Sequence, residues 1–218
     1  MRVSELGRRS GVSVASIKYY LREGLLTAGV QTATNQAVYG DQHVRRLRLI
    51  RSLIDIGGLS ISHVRATLAA VDDETTSLHD AFGAVMHGLD EAPPENEDNE
   101  VATAYREVQE WLSARDWHIE PDAPAPYRLA ELVATLRRFD FPTTLADFDS
   151  SADTAERTAE AEVKYARAMP DRTTAVETML IGTVVLERAL VEVRRLALEA
   201  ASFRIDGSAH PVTPTEPS

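Results

Sequence analysis

The sequence predicts a mainly α-helical protein: an N-terminal winged helix-turn-helix with a small β wing, then a dimerisation helix and an all-α C-terminal domain. Apolar residues recur at spacings of three and four along most of the chain, which is the period of helices that bury one face. Near the N-terminus, Ser10-Gly11-Val12 separates two short periodic segments, and two helices joined by a tight glycine turn form a helix-turn-helix. Residues 25–41 are rich in Thr, Gly, Asn and Gln and lack helical periodicity, which predicts a small hairpin, the wing.

The second helix of this pattern lies within SVASIKYYLREGLL, residues 13–26. The Ser13 hydroxyl can accept a hydrogen bond from the free amides of the first turn. Ile17 and Leu21 share the apolar face, and Gly24 follows as a left-handed C-terminal cap. A helix in this position is the one that a helix-turn-helix places in the DNA major groove.

Five intervals divide the chain. We expect a DNA-binding domain over residues 1–75, followed by a short dimerisation or connector helix over 76–91. An acidic, proline-containing linker is expected over 92–99 and an all-helical effector or interaction domain over 100–205. The last interval, 206–218, contains three prolines, a composition that favours disorder.

Charge is distributed unevenly along the chain. Residues 1–71 contain ten Lys and Arg against four Asp and Glu, whereas residues 72–218 contain 13 against 30. A basic half beside an acidic half indicates nucleic-acid binding by the basic half, although solubility alone can also produce such a split. Because phosphates repel the acidic half, we expect it to lie away from DNA.

The predicted DNA contacts come from the second helix, the wing and the start of the third helix. Lys18 and Arg22 lie one turn apart and can reach phosphates or guanine edges. Tyr19 and Tyr20 each combine an apolar ring with a hydroxyl; we expect one to pack and the other to reach DNA, and the alternative is that both fill a small core. The predicted DNA-binding residues are Ser13, Ala15, Ser16, Lys18, Tyr19, Tyr20, Arg22, Thr34, Asn35, Gln36, Tyr39 and Arg45.

The stretch MRVSELGRRSGVSVASIKYYLREGLL, the wing ending in Tyr39, and HVRRLRLIRSLIDIGGLSISHVRATLAAV resemble MerR-type transcriptional regulators over residues 1–75. The resemblance implies that Lys18 takes the place of the usual basic residue before a pair of tyrosines, here Tyr19 and Tyr20. It also implies that the wing touches the DNA backbone and that a homodimer bends and untwists promoter DNA, changing the spacing seen by RNA polymerase. The wing departs from the family pattern, because no Lys or Arg occurs between Glu23 and Val44, which leaves polar side chains and backbone amides as its phosphate donors.

A short apolar seam follows the fourth predicted helix. Its residues recur at spacings of 4, 3 and 4, as in the a/d positions of a coiled coil. At about two heptads, contact between subunits and packing within one chain both fit this seam. The predicted dimerisation residues are Leu78, Phe82, Val85 and Leu89.

The C-terminal half contains scattered aromatic and methionine side chains. Such residues line ligand pockets between helices, and they also fill cores. We expect a small-molecule effector to bind there; the alternative is an effector-free DNA-binding module whose C-terminal half docks a protein partner. The predicted pocket residues are Tyr105, Trp111, Phe139, Phe148, Tyr165 and Met169.

Several other classes of function lack support in the sequence. There is no cysteine, which excludes disulfides and thiolate metal sites, and none of the six histidines has a histidine partner three or four residues away, so we expect no metal and no cofactor. We recognise no nucleophile–base pair and no glycine-rich phosphate loop, so we do not expect an enzyme. No apolar stretch is long enough to span a bilayer. We therefore expect a cytoplasmic protein without a membrane partner, which binds double-stranded DNA, a second copy of itself, RNA polymerase and a small-molecule effector.

Overall fold

The computed structural model describes residues 1–33, 36–89 and 98–206, and it is helical there apart from one small hairpin. The first part of the chain contains α1 (Val3–Ser10), α2 (Val14–Arg22), β1 (Val30–Ala33), β2 (Gln36–Val38), α3 (Asp41–Arg51), a π-helical turn (Ser52–Ile56) and α4 (Ile61–Asp72). The second part contains α5 (Leu78–His87), α6 (Asn99–Ala114), α7 (Ala125–Arg138), a 3₁₀ turn (Leu145–Phe148), α8 (Asp149–Arg167) and α9 (Arg172–Asp206). The mainly α fold with a two-stranded wing is confirmed. Within the described residues, no helix combines the length and the apolar character needed to cross a membrane.

Local sequence signals set the limits of the helix-turn-helix. The Ser13 hydroxyl accepts a hydrogen bond from the Ser16 amide at 3.0 Å, which caps α2. Gly11 forms the turn between α1 and α2 with a φ of 71°, and Gly24 follows α2 with a φ of 72°. Both angles lie in the left-handed region that glycine adopts without strain, so the predicted turn and the predicted end of the helix are confirmed.

The wing is an antiparallel hairpin that is fastened to the N-terminus of the chain. Val30 pairs with Val38 and Gln31 pairs with Ala37. Beyond β2, the Tyr39 amide donates to the Met1 carbonyl at 2.8 Å, and the Met1 ammonium donates to the Tyr39 carbonyl at 2.7 Å. These two bonds hold the hairpin beside the start of α1.

Three apolar cores lie along the chain. The N-terminal core joins α1, α2, α3 and the wing, and its buried members are Leu6, Val12, Ile17, Leu26, Tyr39, Val44 and Leu47. The central core joins α3, the π-helical turn, α4 and α5 to the end of α8 and the first part of α9; its large members include Leu53, Leu68, Phe82, Val85, Val176 and Leu180. The distal core lies between α6, α7 and the 3₁₀ turn, with Val101, Val108, Tyr127 and Val133 buried.

The interval 100–205, expected to be one helical domain, is therefore shared between two cores. Most of the expected linker and all of the expected tail after Asp206 lie outside the described residues.

The seam between residues 78 and 89 packs inside the chain, which corrects its assignment as a dimerisation surface. Phe82 is 4% exposed and Val85 is fully buried, both in the central core, and Leu78 and Leu89 pack against the same core. The partners are α4 and α9 of the same chain. Phe82 and Val85 have almost no exposed surface to offer a second copy, which supports the alternative of intramolecular packing for these two residues; Leu78 and Leu89 are half-buried.

Candidate nucleic-acid interface

Helix α2 buries one face in the N-terminal core and exposes the other. Ile17 is fully buried, and this contact fixes the rotation of the helix about its axis. Ser13, Ala15 and Lys18 are exposed, and Ser16 is half-buried. The outer face of α2 therefore presents small side chains at its N-terminal end.

The two tyrosines of α2 have different environments, as expected. Tyr20 packs against both the N-terminal and the central core, and this burial raises the pKa of its hydroxyl. Tyr19 is 36% exposed. The guanidinium carbon of Arg22 lies 6.0 Å from the centre of the Tyr19 ring, within the range of a cation–π contact. Tyr19 and Arg22 therefore form one outward-facing pair, while Tyr20 is a packing residue.

A cleft of about 360 Å³ separates α2 from the wing. Lys18 of α2 and Gln31 and Gln36 of the wing line it, and Arg2, directly before α1, also lines it. Arg2 was not among the predicted site residues, because a single basic residue at a chain end has no periodicity to mark it. The wing's hydrogen bonds to Met1 bring this residue to the cleft. The predicted wing residues Thr34 and Asn35 lie outside the described residues.

Most cations of the N-terminal domain already have acidic partners. Six of the ten basic side chains in residues 1–71 lie within ion-pair distance of a carboxylate: Arg8, Arg9, Arg45, Arg46, Arg51 and Arg65. Arg48 donates to the Arg9 carbonyl at 3.1 Å. Of the ten basic side chains in residues 1–71, Arg2, Lys18 and Arg22 form no ion pair or hydrogen bond with the described residues. These three lie on α2 or at the cleft beside it.

Two predicted DNA contacts have other partners within the chain. Arg45 Nε lies 2.5 Å from Oε2 of Glu177, whose side chain is 8% exposed on α9. Burial raises the pKa of this carboxyl, with the Arg45 and Arg46 charges opposing the shift. Arg45 thus fastens α3 to α9. The second is Tyr39, which is 7% exposed in the N-terminal core, with the centre of its ring 5.1 Å from that of His43. This burial corrects the assignment of Tyr39 as a DNA contact and makes it a packing residue next to the wing.

The predicted ligand-pocket residues do not converge on one site. Tyr105, Trp111 and Phe148 pack around the distal core, whereas Met169 packs against the central core. Phe139 and Tyr165 are 80% and 65% exposed. The residue type alone does not reveal which core an aromatic or methionine side chain joins.

The distal part of the chain instead contains a clamp of two tryptophans around an arginine. The Arg115 guanidinium carbon lies 5.3 Å from the Trp111 ring centre and 5.1 Å from the Trp117 ring centre. Arg115 also pairs with Asp149 and Asp153 on α8, so the clamp fastens α6 to α8. Among the described residues, no group of three or more His, Asp and Glu side chains is arranged to hold a metal ion.

Comparison with known proteins identifies the N-terminal domain. Residues 1–71 match the family model of MerR HTH family regulatory proteins. The chain is 33% identical over 91 residues to the HTH-type transcriptional regulator HmrR of Sinorhizobium medicae (strain WSM419), a match that covers 42% of this chain and 61% of that protein. It is 26% identical over 97 residues to the mercuric resistance operon regulatory protein of Bacillus cereus, covering 44% of this chain and 73% of that protein.

One solved structure resembles almost the whole chain. It is SCO5550 of Streptomyces coelicolor A3(2), a candidate transcriptional regulator, which superimposes with a TM-score of 0.73 at 33% identity over 94% of this chain and 97% of that one. The helical part after residue 71 therefore also has a counterpart of known structure. Residues 1–71 therefore belong to the MerR HTH family of regulatory proteins, and the chain as a whole is similar to SCO5550.

Proposed function

We propose that the protein is a homodimeric, sequence-specific DNA-binding regulator of transcription, which binds a palindromic promoter operator next to RNA polymerase. In this proposal α2 enters the major groove, and the cleft between α2 and the wing receives the sugar-phosphate backbone. The observation that carries the proposal is the position of three cations that form no ion pair or hydrogen bond with the described residues, Arg2, Lys18 and Arg22. A cation without an intrachain partner can bind a phosphate without first breaking an ion pair.

Helix α2 supplies the specificity in this proposal. Lys18 and Arg22 can reach guanine edges, and the small Ala15 lets the helix approach the bases. The wing has no cation among its described residues, so Gln31, Gln36 and backbone amides are its phosphate donors. Bending and untwisting a site of this length costs about 1–6 kcal/mol. An effector that stabilises the distorting dimer therefore changes promoter activity through a coupling of similar size.

The operator can be found by selecting bound sequences from a random DNA pool with the full-length protein. We expect an inverted repeat, because a two-fold dimer reads two equal half-sites. The Kd for this operator is then measured by fluorescence anisotropy for the wild type and for Lys18→Ala. Loss of one good base contact costs about 1–3 kcal/mol, or about 5- to 150-fold in Kd.

The matched control is Arg8→Ala. Arg8 is a strongly exposed cation of α1 that pairs with Glu5 at 2.7 Å and does not line the cleft. Both variants remove one positive charge, so a general charge effect would weaken them equally. We expect Arg8→Ala to bind within about twofold of the wild type. Equal losses in the two variants, or unchanged binding by a folded Lys18→Ala, would show that α2 is not the reading helix.

For the effector we propose the groove between Trp117 and α8, which has a volume of about 560 Å³. Its walls are mainly apolar, with Ala155, Ala159 and Val163 on the α8 side, which suits a flat apolar molecule that stacks on the indole. A bound effector stabilises the fold by linkage, so a small-molecule screen should raise the Tm of the wild type and not of Trp117→Ala. If no compound raises the Tm, the alternative of an effector-free module that docks a protein partner is favoured.

A further inference from the structure

Helix α7 ends in a group of apolar side chains that face solvent. Phe139 is 80% exposed, Leu132 is 63% exposed and Phe141 is 61% exposed, and Leu136 is half-buried. Helical geometry at 100° per residue places Leu132, Leu136 and Phe139 within about 60° of one another around the axis of α7. We call these three residues and Phe141 the distal patch.

A left-handed residue holds Phe141 beside the last turn of α7. Asp140 has a φ of 56°, a conformation that Asp adopts more readily than most residues because its short polar side chain can form local hydrogen bonds. The Phe141 amide donates to the Leu136 carbonyl at 3.1 Å, and the Asp140 amide donates to the Arg137 carbonyl at 3.0 Å. These are the two bonds of a Schellman motif. Backbone hydrogen bonds therefore fix the position of Phe141 next to the rest of the distal patch.

The distal patch is large for an apolar surface that faces water. If a phenylalanine side chain offers about 200 Å², the two phenylalanines alone leave roughly 280 Å² exposed. The largest apolar patch of a monomer is typically about 300–600 Å² and often marks an interaction site. The segments outside the described residues are too poor in apolar side chains to cover it: residues 90–97 read DEAPPENE, and residues 207–218 contain Val212 as their one large apolar residue.

The charge around the distal patch is negative. Residues 98–148 contain five Arg against ten Asp and Glu. Both arginines at the end of α7 are held by carboxylates, in the pairs Arg137–Glu107 and Arg138–Glu100. Asp140 lies between the two phenylalanines of the patch, and its side chain forms no ion pair or hydrogen bond with the described residues. The patch therefore combines apolar surface with a carboxylate that can accept a cation from outside the chain.

This charge distinguishes between the molecules that could cover the distal patch. A second copy of the chain would bring another net charge of −11 and a second Asp140 to the contact, and like charges repel. The phosphates of nucleic acids and of anionic lipids are repelled in the same way. A basic protein segment has the opposite charge, and its apolar side chains can fill the patch.

We propose that the distal patch docks a basic segment of a partner protein. Apolar side chains of this segment pack on Phe139 and Phe141, and a Lys or Arg beside them pairs with Asp140. The inference goes beyond the proposed function, because the patch shares no residue with the cleft beside α2 or with the groove at Trp117.

The test selects peptides from a random library displayed on phage, with the full-length protein as the target. Fluorescence anisotropy then gives the Kd of each selected peptide for the wild type and for the variants Phe139→Ser and Asp140→Asn. The matched controls make the same changes elsewhere: Phe203→Ser on α9, where the side chain is 56% exposed, and Asp122→Asn at an exposed carboxylate before α7. Circular dichroism checks that each variant is folded.

We expect the selected peptides to combine Lys or Arg with large apolar residues. Phe139→Ser should raise their Kd by at least about 30-fold, as the loss of a central aromatic anchor does. Asp140→Asn should raise it by about 2- to 5-fold, because the lost ion pair is exposed. Both control variants should bind within about twofold of the wild type.

Three outcomes would overturn the proposal. The first is a selection that yields no peptide, or only peptides without basic residues. The second is a Kd that Phe139→Ser leaves unchanged or that Phe203→Ser raises equally. The third is a self-association of the wild type that Phe139→Ser abolishes in sedimentation velocity, because the occupant of the distal patch would then be a second copy of the chain.

Discussion

The ion pair between Arg45 and Glu177 leads to a prediction with a defined pH dependence. Arg45→Ala leaves the buried Glu177 carboxylate without its partner at 2.5 Å. Breaking a fully buried pair costs about 3–5 kcal/mol, and losing an exposed pair costs about 0–1 kcal/mol. Since Glu177 is 8% exposed but Arg45 is 49% exposed, we expect an intermediate loss of about 1–3 kcal/mol at neutral pH.

The loss of stability caused by Arg45→Ala should become smaller at acidic pH. The pKa of Glu177 is raised above its ordinary value of 4.5 by burial, and removing Arg45 raises it further because a favourable positive charge is lost. A pKa raised in the folded state means that ionising the carboxyl destabilises the fold. The deficit of Arg45→Ala is therefore small at pH 4, below the ordinary pKa, and grows as the pH rises through the folded-state pKa.

Urea unfolding followed by circular dichroism at pH 4 and pH 7.5 measures this deficit. For a chain of this size, 1–3 kcal/mol also corresponds to a fall in Tm of about 2–12 °C. The double variant Arg45→Ala/Glu177→Gln should recover most of the stability, since it removes the buried charge. Lys164→Ala is the matched control, because it breaks an exposed pair with Glu160 and should cost less than about 0.5 kcal/mol. An Arg45→Ala deficit of equal size at both pH values, or one that Glu177→Gln does not relieve, would refute this account of the pair.

Three further predictions concern the supports of the interface, and the same urea titration measures the first two. A Cβ at Gly29 would lie 2.7 Å from the Val38 carbonyl oxygen, so Gly29→Ala should lower the free energy of unfolding by about 1–3 kcal/mol. A Cβ at Gly83 of α5 would meet no atom within 4 Å, so Gly83→Ala should raise the free energy of unfolding by about 0.5–1 kcal/mol. Ser13→Ala removes the cap of α2 and should cost about 1 kcal/mol, and an unchanged stability would show that the hydroxyl does not cap. Arg115→Ala opens the clamp between the two tryptophans of the chain, so their fluorescence should shift to longer wavelength; an unshifted spectrum would contradict the clamp.

The sequence by itself determined the helix-turn-helix, the caps of its second helix and the position of the wing. These features depend on neighbours within a few residues. A serine hydroxyl caps the amides that follow it, as at Ser13, and a glycine takes up the left-handed turn where it stands, as at Gly11 and Gly24. The burial of Ile17 likewise follows from its spacing to the next apolar residue on the same face. Such signals are readable without knowledge of the rest of the fold.

Only the tertiary structure decided which charges are free and which apolar stripes are covered. Arg45 and Lys18 are both basic residues on predicted helices, and the sequence does not distinguish them. In the structure Arg45 pairs with Glu177 of α9, whereas Lys18 pairs with no acidic group among the described residues. The apolar residues of α5 and those of α9 beyond Val184 both recur at helical spacing, yet the first are packed against α4 and α9 and the second are exposed. The physical reason is the same in both cases: spacing along a helix determines which side chains share a face, whereas the occupant of that face comes from a segment distant in the chain.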